Sequence, residues 1–145
     1  MKNYIKVKHS GNAGDLIYSL SSLYQYCEDN KCKVVYYIKI GVPSGFTDET
    51  HPTGAVMMND FMFDFLAPLL KAQPYIHDVI KLGKDENVLV DYDLDLFRKE
   101  YKNLSAGNIQ NWISNAYHEF RPNLSKQCVF LPENIGNNYI IVNRT

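Results

Sequence analysis

The amino-acid sequence predicts an α/β fold, a Rossmann-like parallel sheet flanked by helices. Segments with the two-residue periodicity of strands alternate along the chain with segments of helical periodicity. The segment VVYYIKI at 34–40 is β-branched and aromatic in character and too short for a helix, which is typical of a strand covered on both faces. A strand, a tight loop, a helix and another strand follow one another within about 40 residues, which predicts a βαβ unit with parallel strands.

Length and composition indicate one globular domain and exclude several classes of protein. The chain has 145 residues, of which 46% are hydrophobic, and 15 basic residues nearly balance 16 acidic ones, which offers no footprint for nucleic acid. Three cysteines without CxxC spacing and histidines without ligand spacing predict no disulfide framework and no metal site, and we expect no cofactor. Because no apolar run is long enough for a signal peptide or a membrane span, we expect a cytoplasmic protein with at most peripheral membrane contact.

The predicted elements follow from local periodicity. Residues 4–9 alternate apolar and basic side chains as a first strand, and a helix follows from Leu16 until the polar run 28–31, with a buried stripe of Leu16, Leu20, Leu23 and Cys27. A second helix starts at Asn59 or Asp60, and its aromatic side chains are expected in the core, namely Phe61, Phe63 and Phe65. The remaining predictions are strands at 79–82, 88–92, 128–131 and 139–142, and a helix over 108–120.

Two segments lack periodicity. Residues 40–59 contain several glycines and prolines, and loops of this length inside compact domains are usually functional or disordered. Turn-forming residues cluster at 132–138, before a new apolar strand. We therefore expect a Rossmann-like domain over residues 1–135, and at 136–145 the beginning of a second domain.

The loop after the first strand is the expected ligand site, because open parallel sheets bind ligands at the carboxyl ends of their strands. Gly11 and Gly14 would let the backbone turn sharply beside a ligand, although the loop matches neither the P-loop nor the GxGxxG pattern. Asp15 has two possible roles. As an N-cap it would stabilise the helix by about 1 kcal/mol; as a general base it would accept a proton from a bound hydroxyl group.

Other polar residues are weaker site candidates. His9 ends the first strand and is expected to be a structural core histidine, whereas His51 lies in the long loop and could contact a ligand. Three acidic residues alternate at Asp91, Asp93 and Asp95, a pattern that a solvated turn or a helix start explains.

Several segments together resemble a known family. GDLIYSLSSL, residues 14–23, is similar to the segment that opens the lipopolysaccharide heptosyltransferases (ADP-heptose transferases) and related GT-B glycosyltransferases. PLLKAQPYIHDVI at 68–80, NIQNWISNAYHEF at 108–120 and YIIVNRT at 139–145 resemble later segments of that family, in the same order. The chain departs from the family at Ser21, where proline is usual, and in the loop 41–59, which has no counterpart.

The resemblance implies that the chain is the acceptor-side half of a GT-B glycosyltransferase that acts on a cell-envelope polysaccharide. Asp15 then corresponds to the catalytic aspartate that deprotonates the acceptor sugar, and Gly11, Asn12, Ala13, Gly14 and His51 would surround that acceptor. A nucleotide-sugar donor would bind to a following domain, so the chain alone should not transfer sugar. Two alternatives stay open: a stand-alone Rossmann-like binding module in which Asp15 only caps a helix, and a domain similar to the polysaccharide pyruvyl transferases.

Overall fold

A parallel four-stranded sheet forms the centre of the molecule and confirms the predicted α/β fold. The computed structural model describes residues 4–45, 54–100 and 109–131. Its strands are β1 (Tyr4–His9), β2 (Lys33–Lys39), β3 (Ile76–Leu82) and β4 (Tyr92–Asp93). They lie in the order β3-β2-β1-β4, and all three pairings are parallel.

The strand order places a topological switch point at β1. The chain moves from β1 to β2 and β3 on one side, and then returns to place β4 on the other side of β1. The segments that follow β1 and β4 therefore lie next to each other at the carboxyl edge of the sheet. In open α/β sheets, a switch point of this kind is the usual position of a ligand crevice.

Helix α1 (Ala13–Asn30) begins three residues before the predicted start at Leu16. Its N-cap is Asn12, whose side-chain oxygen accepts a hydrogen bond from the Asp15 amide at 3.0 Å, while the Asp15 carboxylate accepts one from the Asn12 amide at 3.0 Å. This reciprocal capping box corrects the prediction that Asp15 is itself the N-cap. Ala13 and Gly14 consequently lie in the first helical turn and not in a loop.

The core lies between α1 and the sheet. The predicted stripe is confirmed, because Leu16, Leu20, Leu23 and Cys27 are all buried. The fully buried Tyr36 of β2 places its hydroxyl group 2.8 Å from Ser19 Oγ, so the polar atom that this large side chain carries into the core is satisfied.

Helix α2 (Asp60–Lys71) is capped by Asn59, but it buries a different face from the predicted one. Phe63, Leu66 and Leu70 are buried, whereas Phe61 and Phe65 are 73% and 70% exposed. The segment FMFDFLAPLL is apolar on nearly every side, so periodicity alone could not select the buried face. The prediction that Phe61 and Phe65 belong to the core is wrong, and only Phe63 does.

The later part of the chain is less regular than predicted. The strand predicted at 88–92 is reduced to β4, and it is followed by the short helix α3 (Leu96–Glu100), in agreement with the helix start that was one of the two explanations of the acidic residues at 91–95. The helix predicted over 108–120 is a 3-10 turn (Ile109–Asn111) and α4 (Trp112–Ala116); Phe120 lies beyond the helix and stacks on Tyr26, with ring centroids 4.5 Å apart. No helix of the described residues is both long enough and apolar enough to cross a membrane.

The strand predicted at 128–131 is absent. The side chain of Gln73, and not a neighbouring strand, forms hydrogen bonds with the backbone of Phe130. The buried amide group of Gln73 accepts a hydrogen bond from the Phe130 amide at 2.7 Å and donates one to the Phe130 carbonyl at 3.1 Å. This pairing satisfies the backbone without a sheet ladder. The strand predicted at 139–142 and the second domain predicted at 136–145 lie outside the described residues.

Two phenylalanines of α2 test the corrected core. Phe63→Ala should lower the free energy of unfolding by about 3–5 kcal/mol, because it removes a buried ring. Phe65→Ala, on the same helix, should change it by no more than about 0.5 kcal/mol, because its ring faces solvent. Urea denaturation of the two variants measures both values, and equal losses would contradict the assignment of the buried face.

Candidate functional site

Asp95 connects the two sides of the switch point. It lies between β4 and α3, and its carboxylate accepts hydrogen bonds from the end of β1. Oδ1 accepts from His9 Nδ1 at 2.8 Å and from the Ser10 amide at 3.0 Å, and Oδ2 accepts from Ser10 Oγ at 2.6 Å. Arg98 Nη1, one helical turn further on, donates to Oδ1 at 3.2 Å. The Asp95 carboxylate is therefore surrounded by donors from both β1 and α3.

These donors determine the charge of Asp95. Burial alone would raise the pKa of its carboxyl group, but the interaction with His9 and the two hydrogen bonds from Ser10 outweigh burial and hold the pKa well below its usual range. Asp95 is thus an ionised, acceptor-only group in the folded protein.

An ionised Asp95 also sets the tautomer of His9. Because a carboxylate can only accept, the proton between the two side chains belongs to His9 Nδ1. The Gly11 amide lies 3.2 Å from the same nitrogen, but it finds no lone pair there once Nδ1 is protonated. His9 is 1% exposed, and within the described residues its Nε2 atom is buried without a hydrogen-bond partner. In the tautomer with its proton on Nδ1, Nε2 carries a lone pair and can accept a hydrogen bond.

Arg98 links Asp95 to Asp15. Its Nη2 atom donates to Asp15 Oδ2, which also accepts the Asn12 amide hydrogen bond of the capping box at 3.0 Å. No hydrogen bond from the described part of the chain reaches Asp15 Oδ1. One carboxylate oxygen is therefore fixed by two donors, and the other remains able to accept.

Asp15 and His9 face the same small cavity, which has a volume of about 10 Å³. Its walls come from α1, α3, α4 and the end of β1, and they consist of His9, Asp15, Tyr18, Ser19, Phe97, Trp112 and Ile113. The indole Nε1 of Trp112 is buried and, like His9 Nε2, has no partner among the residues described. A volume of about 10 Å³ accommodates one oxygen atom of a water molecule or a hydroxyl group. We call this space the hydroxyl cavity.

Gly11 has a packing role at this site. A Cβ atom on Gly11 would lie 2.6 Å from Asp15 Cβ and 2.8 Å from His9 Cε1, distances that real Cβ atoms do not show. The absence of a side chain at Gly11 therefore allows Asp15 and His9 to approach each other. The sequence predicted that Gly11 contacts a ligand. In the structure, the space beside its Cα atom is occupied by the side chains of Asp15 and His9.

The structure thus brings together most of the predicted site. Asn12, Ala13, Gly14 and Asp15 form the start of α1 beside the switch point, whereas His51 lies outside the described residues. The sequence interpretation missed three residues, Asp95, Arg98 and Trp112. The alternation of Asp91, Asp93 and Asp95 was a usable signal for Asp95, since a helix start after a strand is where such an acid would lie. Nothing in the local sequence marked Arg98 or Trp112.

A larger cavity, of about 490 Å³, lies at the opposite edge of the sheet, beside the amino ends of the strands. Parallel sheets rarely bind ligands at that edge. Its two thiols are poor nucleophiles, because burial raises the pKa of both Cys27 and Cys32. We therefore place the candidate site at the carboxyl edge. Among the described residues, no group of three or more histidine, cysteine or acidic side chains could hold a metal ion at either edge.

Comparisons with known proteins returned no relative. No protein-family model, no curated protein and no solved structure matches this chain. The resemblance to the heptosyltransferases therefore stays a prediction, and the interpretation of the site depends on its geometry.

Asp95 predicts a specific dependence of stability on pH. Its pKa is lower in the folded than in the unfolded chain, so the stabilisation is present above the unfolded value of about 4 and is lost as the pH falls below it. Asp95→Asn should cost about 3 kcal/mol near neutral pH, as expected when hydrogen bonds to a largely buried, charged carboxylate are lost. The difference from the unsubstituted chain should shrink steadily below about pH 4.

Urea denaturation between pH 7 and pH 3 measures this difference. Asp85→Asn, in the exposed turn after β3, is the matched control and should change the free energy of unfolding by no more than about 0.5 kcal/mol. An Asp95→Asn penalty that stays constant down to pH 3 would contradict the assigned charge of Asp95.

Proposed function

We propose that this chain is the acceptor-side domain of a GT-B glycosyltransferase similar to the heptosyltransferases, with Asp15 as the general base. The proposal combines the family resemblance of the sequence with the position of Asp15 at the switch point. Its main structural support is the hydroxyl cavity. The nucleotide-sugar donor would bind to a second domain, which the resemblance predicts to begin at 136–145.

The polar groups of the hydroxyl cavity complement an alcohol. A hydroxyl group donates one hydrogen bond and accepts others, and the cavity presents a donor at Trp112 Nε1 and an acceptor at His9 Nε2. Both atoms are buried, so leaving them unpaired costs about 1–3 kcal/mol each. A sugar hydroxyl group in this cavity would accept from Trp112 Nε1, and its single proton would go to His9 Nε2 on binding and to the neighbouring Asp15 carboxylate in the reaction.

The chemistry of the proposed step follows from this placement. The hydroxyl oxygen of the acceptor attacks the anomeric carbon of the donor sugar, its proton passes to Asp15 Oδ1, and the nucleoside diphosphate leaves with the electron pair of the broken bond. Because a carboxylate is a much weaker base than an alkoxide, the proton transfer has to accompany formation of the new bond. Arg98 and the Asn12 amide hold Oδ2, which orients Oδ1 towards the hydroxyl group.

One observation favours the competing function, a binding module without catalysis. Asp15 completes the capping box of α1 and pairs with Arg98, so it would stabilise the fold even without a reaction. Replacing Asp15 by asparagine, which has nearly the same shape but no charge, distinguishes the two functions. It should abolish transfer that depends on a general base, and it should not affect a module that only binds.

Asp15→Asn tests the general base in the protein as its gene encodes it, with any sequence that follows Thr145. Transfer from nucleotide-sugars to sugar acceptors should fall by about 10²–10⁴-fold, the usual contribution of a general base. The stability should fall by only about 1–3 kcal/mol, because hydrogen bonds to a charged group are lost. The matched control is Asp60→Asn, an acid in the first turn of α2, which should transfer sugar normally.

Unchanged transfer by the Asp15→Asn variant, together with the expected loss of stability, would leave Asp15 as a structural residue. Absence of transfer by the unsubstituted protein with every donor tested, combined with tight sugar binding, would support the binding module.

Trp112→Phe tests the hydroxyl cavity separately. The substitution removes one donor and keeps an aromatic ring, so kcat/KM for the acceptor should fall about tenfold, the equivalent of one hydrogen bond. Ile113→Val removes a methyl group from the same wall and should change kcat/KM by less than about threefold. Equal effects of the two substitutions would show that the cavity acts through shape and not through hydrogen bonding.

A further inference from the structure

A second cavity lies beside the candidate site at the carboxyl edge of the sheet. It has a volume of about 340 Å³, and its walls include three lysines, Lys8, Lys39 and Lys84. We call it the lysine cleft. Its volume lies in the range of small-molecule sites, at the size of a substituted monosaccharide. The cleft is also continuous with the site, because Ser10 and Asp95 form part of its wall.

The three lysines come from three successive strand ends. Lys8 precedes the last residue of β1, Lys39 is the last residue of β2, and Lys84 lies in the turn after β3. The parallel register of β1 and β2 carries both strands to the same edge, where His9 lies opposite Ile38. Lys84 lies next to Gly41, the residue two positions after β2, whose φ of +72° favours glycine. The topology of the sheet therefore collects these ammonium groups in one cleft.

The acidic residues of the cleft are already paired. Lys8 Nζ lies 2.8 Å from Asp93 Oδ2, so these two charges compensate each other. Asp95 accepts hydrogen bonds from His9, Ser10 and Arg98. Asp93 thus has a lysine partner within the cleft, and the partners of Asp95 among the described residues are groups other than the three lysines.

Lys39 and Lys84 carry the uncompensated charge. The hydrogen bond of Lys39 goes to a neutral group, the side-chain oxygen of Asn87, at 3.4 Å. Within residues 4–45, 54–100 and 109–131, neither lysine forms an ion pair. Two cationic groups that share a concave, partly enclosed space create a positive potential, and such a potential favours an anion.

We propose that the lysine cleft binds an anionic group, a phosphate or a carboxylate, carried by the same sugar whose hydroxyl group enters the hydroxyl cavity. This inference rests on the proposed function and defines its acceptor as an acidic or phosphorylated sugar. Asp95 connects the two cavities, since it lines the lysine cleft and accepts a hydrogen bond from His9, which lines the hydroxyl cavity. An acceptor lying across Ser10 would therefore place its anionic substituent on Lys39 and Lys84 and its hydroxyl group near Asp15.

Binding to the ¹⁵N-labelled chain tests the anion site without any transfer assay. The probes are glucose, glucuronate, glucose 6-phosphate and inorganic phosphate, followed by amide chemical-shift changes and by calorimetry. The anionic sugars should bind more tightly than glucose, with the largest shifts at the ends of β1 and β2, and their affinity should fall as the salt concentration rises. Preference for glucose 6-phosphate identifies a phosphate site, and preference for glucuronate a carboxylate site.

Substitutions locate the site. Lys39→Gln and Lys84→Gln should each weaken anion binding by about tenfold, the equivalent of one charge-assisted hydrogen bond. Lys33→Gln is the matched control. Lys33 lies at the other end of β2, so its substitution removes the same charge from the opposite edge of the sheet. Equal binding of glucose and glucose 6-phosphate, or equal effects of all three substitutions, would overturn the inference.

The outcome is distinguishable from that of the proposed function. Lysine-dependent anion binding by a protein that transfers no sugar would support the cleft and refute the glycosyltransferase. Asp15-dependent transfer to neutral sugars, with no binding of anions at the lysines, would support the glycosyltransferase and refute the cleft.

Discussion

The buried Asp95 carboxylate is the constraint on which the carboxyl edge of the sheet depends. Strand β4 is only two residues long, and the Asp95 side chain that follows it adds hydrogen bonds to the end of β1 beside the backbone bonds from Asp91 and Leu94. The carboxylate also fixes the tautomer of His9 and orients Arg98, which in turn holds Asp15. One ionised group thereby connects the end of β1, the start of α1 and the start of α3. Such a network is stabilising only while every member is satisfied.

The same contacts give Asp15 both a structural and a chemical role. A residue at the third position of a helix is held in place by the helix that it caps, and among the described residues no donor occupies its second oxygen. Arg98 adds a second constraint on the first oxygen, so little conformational freedom is left for the carboxylate. A fixed carboxylate beside a hydroxyl-sized space is what general-base chemistry needs, because the proton must be within hydrogen-bonding distance at the moment of reaction.

The sequence predicted what depends on local periodicity and on loop position. The first strand, the apolar stripe of α1 and the position of the loop between β1 and α1 all follow from spacing. The buried face of α2 did not, because its sequence is apolar all round and the neighbouring elements choose the face. Arg98 and Trp112 were also unpredictable, since they reach Asp15 and His9 only through long-range packing of α3 and α4 on α1. The Gln73 pairing that replaces a strand at Phe130 belongs to the same class of tertiary effects.

The protonation state of His9 tests this network most directly. Long-range ¹H–¹⁵N correlation NMR on the ¹⁵N-labelled chain at pH 7 distinguishes the two ring nitrogens and reports which of them carries a proton. If Asp95 controls the site as described, His9 carries its proton on Nδ1 and leaves Nε2 unprotonated, as an acceptor facing the hydroxyl cavity. A spectrum that shows the proton on Nε2 would contradict this arrangement, because His9 would then present a donor and not an acceptor to the hydroxyl cavity.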